Sequence, residues 1–381
     1  MTTTINNEHK KLNVPNLRFP EFQGEWISKT IGDIAPLQRG FDLPTRQICN
    51  GKIPVVYSNG IMNHHSSYKC VAPGLVTGRS GTIGKFTYIE DGYYWPHNTS
   101  LWVTDFHDNN PKFIHYLYQT IHIEQYSTGS GVPTLNRNNV HRHKTFIPKL
   151  KEQNKIAAFL SLLDERIANQ NKIIEDLKKL KSAIIDYAIN SIDADFIKFS
   201  SLYEIAGEGG TPTTSNASFY DNGKIPFIKI DDLKKKYLTE NKDFITELGL
   251  QKSSAWLVPS RSILFSNGAT IGEITITTYP VCTKQGILGI VPKPNIDVEF
   301  LYYFMSSSYF KKAVSRIVTE GTMKTAYLKD INNIRCPIPT KGKQQEIAQM
   351  PSALSSKIDF EQSILKLFYA QKQYLLRQMF I

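Results

Sequence analysis

The sequence has few cysteines and no long apolar run. Its four cysteines, Cys49, Cys70, Cys282 and Cys336, form no CxxC pair and match the spacing of no zinc module, so they predict reduced thiols. No apolar stretch approaches the roughly 20 residues that span a bilayer. The first twenty residues also lack the apolar core of a signal peptide. These absences predict a cytoplasmic protein without a membrane partner.

The sequence also lacks the motifs of enzymes that act on nucleic acids. It contains no Walker A loop and no Asn/Asp-Pro-Pro-aromatic tetrapeptide; the nearest segment, at 109–113, has one proline too few. Asp231 and Asp232 have no spaced acidic partners of the kind a nuclease needs. We therefore predict no catalytic residue, no metal site and no cofactor in this chain. A site assembled across the fold stays open as an alternative.

What the sequence does contain is positive charge. Among 381 residues, 45 are Lys or Arg and 34 are Asp or Glu, which gives a formal net charge of +11. Such an excess favours a polyanionic partner, and we predict a nucleic acid; an ordinary basic protein is the alternative on charge alone. Hydrophobic residues make up 41% of the chain, enough for packed cores. The length predicts two or three domains.

The chain resembles itself at an offset of 172 to 191 residues. Five segments recur in the same order, and this predicts one unit present twice, at about 20–190 and 195–381. The matched segments are Gly51-Lys52-Ile53-Pro54 with Gly223-Lys224-Ile225-Pro226, Thr82-Ile83-Gly84 with Thr270-Ile271-Gly272, 113–117 with 300–304, Ile147-Pro148 with Ile338-Pro339, and 153–157 with 344–348.

Each unit begins with strand-rich sequence and ends with a long predicted helix. In each helix apolar residues recur in steps of four and three, as in the a/d seam of a coiled coil. The predicted interface consists of Ile156, Leu160, Leu163, Ile167, Gln170, Ile174, Leu177 and Ile184 in the first helix, and of Leu354, Ile358, Glu361, Leu365, Phe368 and Leu375 in the second.

The two matched seams suggest that the helices pair with each other. An antiparallel pair would bring Gln170 near Glu361 at mid-length, whereas the alternative is that each helix packs on its own domain. Pro351 interrupts the second seam and predicts a kink or a helix start there.

The order of these motifs resembles that of the specificity subunits of type I restriction–modification systems, from about residue 16 to the end of the chain. The resemblance is carried by the following segments: 26–34 (WISKTIGDI), 199–206 (FSSLYEIA), 78–84 (GRSGTIG), 128–135 (TGSGVPTL), 147–157 (IPKLKEQNKIA) and 163–167 (LDERI). The second copy departs from the pattern in its polar loops, at 267–269 and 321–325.

The resemblance implies an α+β fold with a pseudo-twofold internal repeat. Two similar target-recognition domains, at 16–150 and 195–341, would be separated by an antiparallel coiled coil of two spacer helices, at 151–190 and 342–381. It implies a non-catalytic subunit that reads a bipartite site in double-stranded DNA. Two modification subunits would methylate adenine and restriction subunits would cleave, with S-adenosylmethionine, ATP and Mg²⁺ bound by those partners.

Two other functions stay open. The chain could be a coiled-coil assembly scaffold that does not read DNA, or a single-chain DNA methyltransferase or nuclease with an unrecognised active site. The first predicts no salt-dependent DNA binding, and the second predicts activity of the purified chain with cofactor alone.

Candidate DNA contacts are polar side chains in loops, because arginine suits guanine, Asn or Gln suits adenine, and lysine suits phosphate. In the first domain they are Arg79, Ser80, Lys85, His97, Asn98, Arg137, Asn138, Ser58 and Asn59. In the second they are Asn267, Thr270, Lys284, Gln285, Lys324, Thr325, Thr211, Thr213 and Lys229. The run Lys234-Lys235-Lys236 is typical of a solvated turn, and contact with phosphate is the alternative.

Overall fold

The structure is a computed structural model that describes residues 13–129, 131–268, 270–318 and 324–381. The chain divides into two units, one made of the residues up to Asn171 together with Ile364–Ile381, the other of Lys172–Ser363. Each unit therefore takes segments from both long helices. The predicted boundaries of the four sequence segments stay predictions.

The first domain consists mainly of short strands with a few short helices, and a long helix follows it. The elements are β1 (Ile27–Thr30), α1 (Ile31–Ile34), β2 (Leu37–Arg39), β3 (Ile53–Tyr57), β4 (Gly60–His65), β5 (Cys70–Val71), β6 (Gly74–Gly78), β7 (Phe86–Ile89), β8 (Tyr93–Pro96), β9 (Ser100–Val103), α2 (Pro111–Thr120), β10 (Ser127–Thr128), β11 (Thr134–Leu135), α3 (Arg137–His141), β12 (Lys144–Ile147) and α4 (Leu150–Asn190).

The second domain follows a similar order of elements, to which the helices α5 (Glu247–Gln251) and α7 (Ser308–Ile317) are added. Its elements are β13 (Phe196–Lys198), β14 (Tyr203–Glu208), β15 (Ile225–Ile228), β16 (Tyr237–Leu238), β17 (Asp243–Ile245), α5 (Glu247–Gln251), β18 (Ile263–Ser266), β19 (Ile274–Thr277), β20 (Cys282–Thr283), β21 (Ile287–Pro292), α6 (Val298–Ser306), α7 (Ser308–Ile317), α8 (Leu328–Ile331), β22 (Arg335–Pro337) and α9 (Lys341–Met379).

The two domains share the order of four strands in one sheet and of three strands in the other, and each domain has one further strand, β5 or β16, without a counterpart. In the first, one sheet has the order β2-β9-β6-β7 and another the order β4-β3-β8-β5, in which β3 and β8 are parallel. In the second, the orders are β14-β21-β18-β19-β16 and β17-β15-β20, in which β15 and β20 are parallel. In each domain the first strand pairs with the strand that precedes the long helix: β1 with β12 and β13 with β22. The predicted α+β fold with an internal repeat is confirmed.

Aromatic and branched aliphatic residues supply the core of each unit, because these side chains remove the most apolar surface from water. Phe113 and Tyr118 on α2 lie at the centre of the first core, and Phe300 and Phe304 on α6 at the centre of the second. All four side chains are fully buried. The helix that follows the sheet in each domain thus carries the equivalent part of the core.

In the first unit the start of α4 runs antiparallel to the end of α9. Trp26 contacts the Phe380 ring at the end of α9, with ring centroids 6.4 Å apart, and donates to Glu152 in the first turn of α4 at 3.3 Å. Further along α4, Asp164 accepts a hydrogen bond from Lys372 at 2.6 Å. The predicted coiled-coil pairing is therefore present in this unit.

In the second unit the end of α4 pairs in the same way with the start of α9. Ile185 and Ile189 share a core with Ala348, and Lys181 Nζ lies 3.4 Å from Ser355 Oγ. Each helix consequently packs against its own domain at its start and into the other domain's core at its end, so the two packing alternatives coexist.

The predicted seam is displaced at the end of α4 and widened at the end of α9. Ile184 is only half-buried, whereas Ile185 and Ile189 are buried. At the end of α9 the predicted residue Leu375 is buried, and Leu376 and Phe380 are buried as well. A straight α-helix drifts relative to a repeat of 3.5 residues, and a globular core covers a wider stripe than a partner helix does. The displacement follows from both effects.

Pro351 does not start a helix. Helix α9 begins at Lys341 and continues through Pro351, so the expected helix start is wrong. The carbonyl of Pro351 accepts a hydrogen bond from Ser355 Oγ at 2.9 Å. Gln170 and Glu361 are both buried, but their predicted proximity concerns two different units and stays a prediction. Among the described helices, none has the length and apolar character required to cross a bilayer.

Candidate nucleic-acid interface

Backbone hydrogen bonds bring three loops of the first domain together at one end of its sheet. Arg79 N donates to Thr99 O at 2.9 Å, and Leu135 N donates to Arg79 O at 2.7 Å. Residue 79 therefore lies between the turn that joins β8 to β9 and the segment that leads into α3. His97 N donates to Val56 O at 2.9 Å and attaches the same turn to the end of β3. The predicted contact residues of this domain thus come from neighbouring loops.

Two glycines permit this close approach. A Cβ on Gly78 would lie 1.9 Å from the carbonyl oxygen of Thr82, and one on Gly40 would lie 2.2 Å from that of His97. Real Cβ atoms cannot approach backbone so closely, so both positions require glycine. Gly209 has the same role in the second domain, where a Cβ would lie 2.2 Å from Thr283 O.

Three arginines line one cleft at this end of the sheet. The cleft has a volume of about 350 Å³, and its walls include Arg39, Arg79 and Arg137. Arg39 is exposed and pairs with Asp42 at 3.3 Å, and Arg137 is exposed at the start of α3. The sequence analysis missed Arg39, which lies in no motif; only the pairing of β2 with β9 places it beside the other two.

Several predicted contact residues hold the loops in place. Lys85 Nζ donates to the carbonyl of Asn59 at 3.0 Å, and Asn98 donates to Asp42. His97 Nδ1 lies 3.0 Å from Thr99 Oγ1, and burial lowers the pKa of His97. Their predicted contacts with DNA stay predictions.

The remaining candidates of the first domain lie near the cleft and its loops. Ser80 forms an isolated bridge with Thr134, and the side chain of Ser58 faces Gly78 and Gly81. Asn138 is exposed within α3. These side chains border the same end of the sheet, and no described contact assigns them another role.

In the second domain Asn267 occupies the backbone position of Arg79. Asn267 N donates to Gly286 O at 3.0 Å and Ala326 N donates to Asn267 O at 2.9 Å, which are the two bonds that define residue 79. Asn267 is only 1% exposed, and its Nδ2 donates to the Ala326 carbonyl at 3.3 Å. The predicted base contact of Asn267 is replaced here by a role inside the loop.

Other candidates of the second domain are accessible. Lys284 and Gln285 are exposed on the turn equivalent to 97–98, since Lys284 N donates to Ile228 O at 2.9 Å as His97 N does to Val56 O. Thr211 Oγ1 accepts from Gln285 N at 3.3 Å. Thr213 and Thr270 are exposed.

Three further candidates of this domain lie elsewhere. Lys229 is paired with Asp243 at 2.8 Å. Lys324 lines a mostly apolar cleft of about 320 Å³ beside Phe310, and Thr325 is half-buried.

The lysine run does not behave as one solvated turn. Lys234 and Lys235 are exposed, but Lys236 is largely buried. Its Nζ pairs with Glu299, donates to Tyr303 Oη at 2.9 Å and donates to Ser352 Oγ at 3.0 Å. The expectation of a solvated turn is therefore wrong for Lys236, because a carboxylate and two hydroxyls compensate its burial. Within the described ranges no group of three or more His, Cys, Asp or Glu side chains could hold a metal ion.

Comparison with known proteins identifies a family whose model matches most of the chain. The family model described as "Type I restriction modification DNA specificity domain" matches residues 23–179 and again 192–367, in agreement with the duplication. The "Type I restriction enzyme MjaIX specificity subunit" of Methanocaldococcus jannaschii is 31% identical over 173 residues, which are 44% of this chain and 39% of that protein. The chain thus spans less than half the length of this curated relative.

Longer alignments have lower identity. The "Putative type I specificity subunit S.MpnORF507P" of Mycoplasma pneumoniae is 24% identical over 332 residues, covering 84% of this chain and 86% of that protein. The crystal structure of the type I S subunit from M. genitalium superposes with a TM-score of 0.59 at 17% identity, covering 97% and 99% of the two chains. At this identity the superposition shows a common fold.

Proposed function

Because the chain belongs to the family of type I restriction modification DNA specificity domains, we propose that it is the DNA-reading subunit of a type I restriction–modification complex. One observation carries the proposal. Residues 79 and 267 have identical backbone bonds in the two domains, but one is an arginine that lines a cleft and the other a buried asparagine. A shared backbone frame that presents different side chains is what two domains with different DNA-contacting surfaces require.

Each domain reads one half of a bipartite site in double-stranded DNA. In the first domain, side chains around Arg79 meet the duplex; in the second, Lys284 and Gln285 are the accessible equivalents of His97 and Asn98. Lysine and arginine contacts to phosphate set the register, and contacts to base edges select the sequence. The chain itself supplies recognition and no catalytic step.

The proposed partners of the long helices are two modification subunits. In the first unit Phe159 and Leu162 on α4 and Leu367 on α9 are exposed, at 39%, 59% and 68%. In the second unit Leu180 and Tyr187 on α4 and Phe360 on α9 are exposed in the same way. Large apolar side chains left in water on both units are expected where a partner covers them. One modification subunit per unit fits this duplication.

The chemistry belongs to the partners in this proposal. Modification subunits would bind S-adenosylmethionine and methylate adenine at the site that this chain selects. Restriction subunits would use ATP and Mg²⁺ and cleave unmethylated DNA. The present chain would position both activities through its choice of sequence.

Methylome mapping tests the function. Cells that express the chain with a modification subunit should acquire adenine methylation at one bipartite motif, and exchange of residues 20–150 for the same region of another family member should change one half of the motif only. A change of both halves, or of neither, contradicts the proposal. Methylation by the purified chain alone would favour the single-chain enzyme, and binding that does not depend on salt would favour the scaffold.

A further inference from the structure

The arginine cleft of the first domain has no counterpart in the second. Strand pairing and backbone hydrogen bonds identify which positions of the two domains are equivalent. Arg39 pairs with Leu101 in the strand ladder as Glu208 pairs with Leu288, and the glycine that follows each donates to the first residue of the neighbouring strand. Position 39 is thus an acid in the second domain.

The other two positions differ as well. Asn267 takes the place of Arg79, as its backbone bonds show. Arg137 is the first residue of α3, and Leu328 is the first residue of the equivalent helix α8. The second domain therefore has Glu208, Asn267 and Leu328 where the first has three guanidinium groups. At these three equivalent positions the first domain has three cations and the second has none.

The charge of the cleft is largely uncompensated. Among the described residues Asp42 is the acid paired with the triad, at 3.3 Å from Arg39, and no ion pair joins Arg79 or Arg137 to another residue. Three cations around one cleft repel each other, and the repulsion is relieved when an anion enters. A single guanine edge would engage one guanidinium and leave the charge of the others in place. A phosphate group has a negative charge and several acceptor oxygens, and arginine binds it in bidentate fashion.

We propose that Arg39, Arg79 and Arg137 form a phosphodiester-binding site that anchors the first domain on the DNA backbone, and that the second domain has no equivalent anchor. The inference rests on the proposed function, because it takes duplex DNA as the ligand. The first domain then has a contact to the DNA backbone that the second lacks. The second contributes its discrimination with a weaker hold on the backbone.

The test is the salt dependence of binding by the full chain. Affinity for a random-sequence duplex is measured by fluorescence anisotropy over a series of KCl concentrations. Each phosphate contact contributes about 0.9 to the slope of log K against log salt, so the triple variant Arg39→Gln, Arg79→Gln, Arg137→Gln, which loses one such contact, should have a slope shallower by about 0.9. The double variant Arg39→Gln, Arg137→Gln changes exposed side chains only and should lose part of that amount.

A matched control removes the same charge elsewhere. Lys172, Lys178 and Lys179 are exposed on α4, and their replacement by Gln should leave the slope nearly unchanged. An equal loss in this control would overturn the proposal, because net charge would then explain the effect. A wild-type chain with no salt-dependent binding would refute the proposed function together with the cleft. A steep wild-type slope that the triple variant retains would refute the cleft alone.

A modified duplex identifies the bound group. The duplex carries the methylated site found by mapping, and each phosphodiester in turn is replaced by an uncharged methylphosphonate. At the bound phosphate the wild type should lose affinity while the triple variant should not. The proposal would be overturned if no phosphate were sensitive and if replacement of one guanine by 7-deazaguanine abolished the difference in affinity between the wild type and the triple variant. The arginines would then contact a base.

Discussion

Gln153 and Gln344 occupy the same place in the two copies of the repeat and make corresponding hydrogen bonds. Gln153 accepts from the N-cap residue of α2, Asn110 N, at 3.0 Å and donates to Pro148 O at 3.0 Å. Gln344 accepts from the N-cap residue of α6, Asp297 N, at 2.8 Å and donates to Pro339 O at 2.9 Å. Each glutamine therefore ties the first turn of a long helix to the start of the core helix in its domain.

This role predicts a difference between two adjacent glutamines. Gln344 is 1% exposed and Gln345 is exposed. Gln344→Ala should reduce the free energy of unfolding by about 1–3 kcal/mol, because it leaves polar backbone groups unpaired. Gln345→Ala should change it by less than about 0.5 kcal/mol. Urea denaturation compares the two variants, and equal effects would contradict the role of Gln344.

The lysine run provides a second pair of neighbours. Lys236→Met should destabilise the protein by about 3–5 kcal/mol, because Glu299 would be left as a largely buried carboxylate without its cation. Lys235 pairs with Glu240 on the surface, and Lys235→Met should cost at most about 1 kcal/mol. Thermal or urea unfolding measures both. The double variant Lys236→Met, Glu299→Gln should recover part of the lost stability. If it were less stable than Lys236→Met, the unpaired carboxylate would not be the cause of the loss.

The exposed apolar residues of the long helices should affect the binding of a partner and not the stability of the fold. Leu162→Gln with Leu367→Gln should leave stability unchanged within about 0.5 kcal/mol, since both side chains are already in water. The same pair should weaken binding of a modification subunit about tenfold or more if these residues are anchors of the interface. Glu165→Gln with Lys366→Gln alters exposed neighbours on the same helices and is the control. Identical binding of both variants would exclude this surface as the docking site.

His115 predicts how the stability of the first unit depends on pH. Burial, with help from the positive charges of Lys372 and Lys112, lowers the pKa of His115 from 6.5 to about 3. Below pH 6.5 the unfolded chain takes up a proton that the folded unit does not, so stability is complete above that pH and is lost as the pH falls towards 3.

The measurement compares His115→Phe with the wild type. One proton corresponds to about 1.4 kcal/mol per pH unit, so between pH 7 and pH 5 the wild type should lose about 2 kcal/mol more than the variant. Urea denaturation at both pH values gives the two differences. An equal loss in both proteins would show that His115 is not the group responsible.

Most of the architecture could be predicted from the sequence. The duplication is visible because matched segments keep their order, and the helices are visible because their apolar residues recur in steps of four and three. The shift of the seam to Ile185 and Ile189 was not predictable in this way, since it depends on the domain core that surrounds the end of α4. The continuation of α9 through Pro351 also overrides the local preference of proline.

The site was predictable only in part. The loop around Arg79 was found because it is a motif, and the structure places Arg137 in the same cleft. Arg39 carries no local signal, and Asn267 and Lys236 have polar side chains that the sequence places on the surface. Their burial arises from contacts with residues far along the chain, such as Ala326 and Glu299.

The sequence by itself determined the repeat, the types of element and the helix seams, because these follow from periodicity and from comparison of neighbouring residues along the chain. Only the tertiary structure decided which polar side chains face solvent and which cations share a cleft. Burial and electrostatic environment depend on residues that become neighbours when distant strands pair. For that reason one loop position could become a cleft arginine in one domain and a buried asparagine in the other.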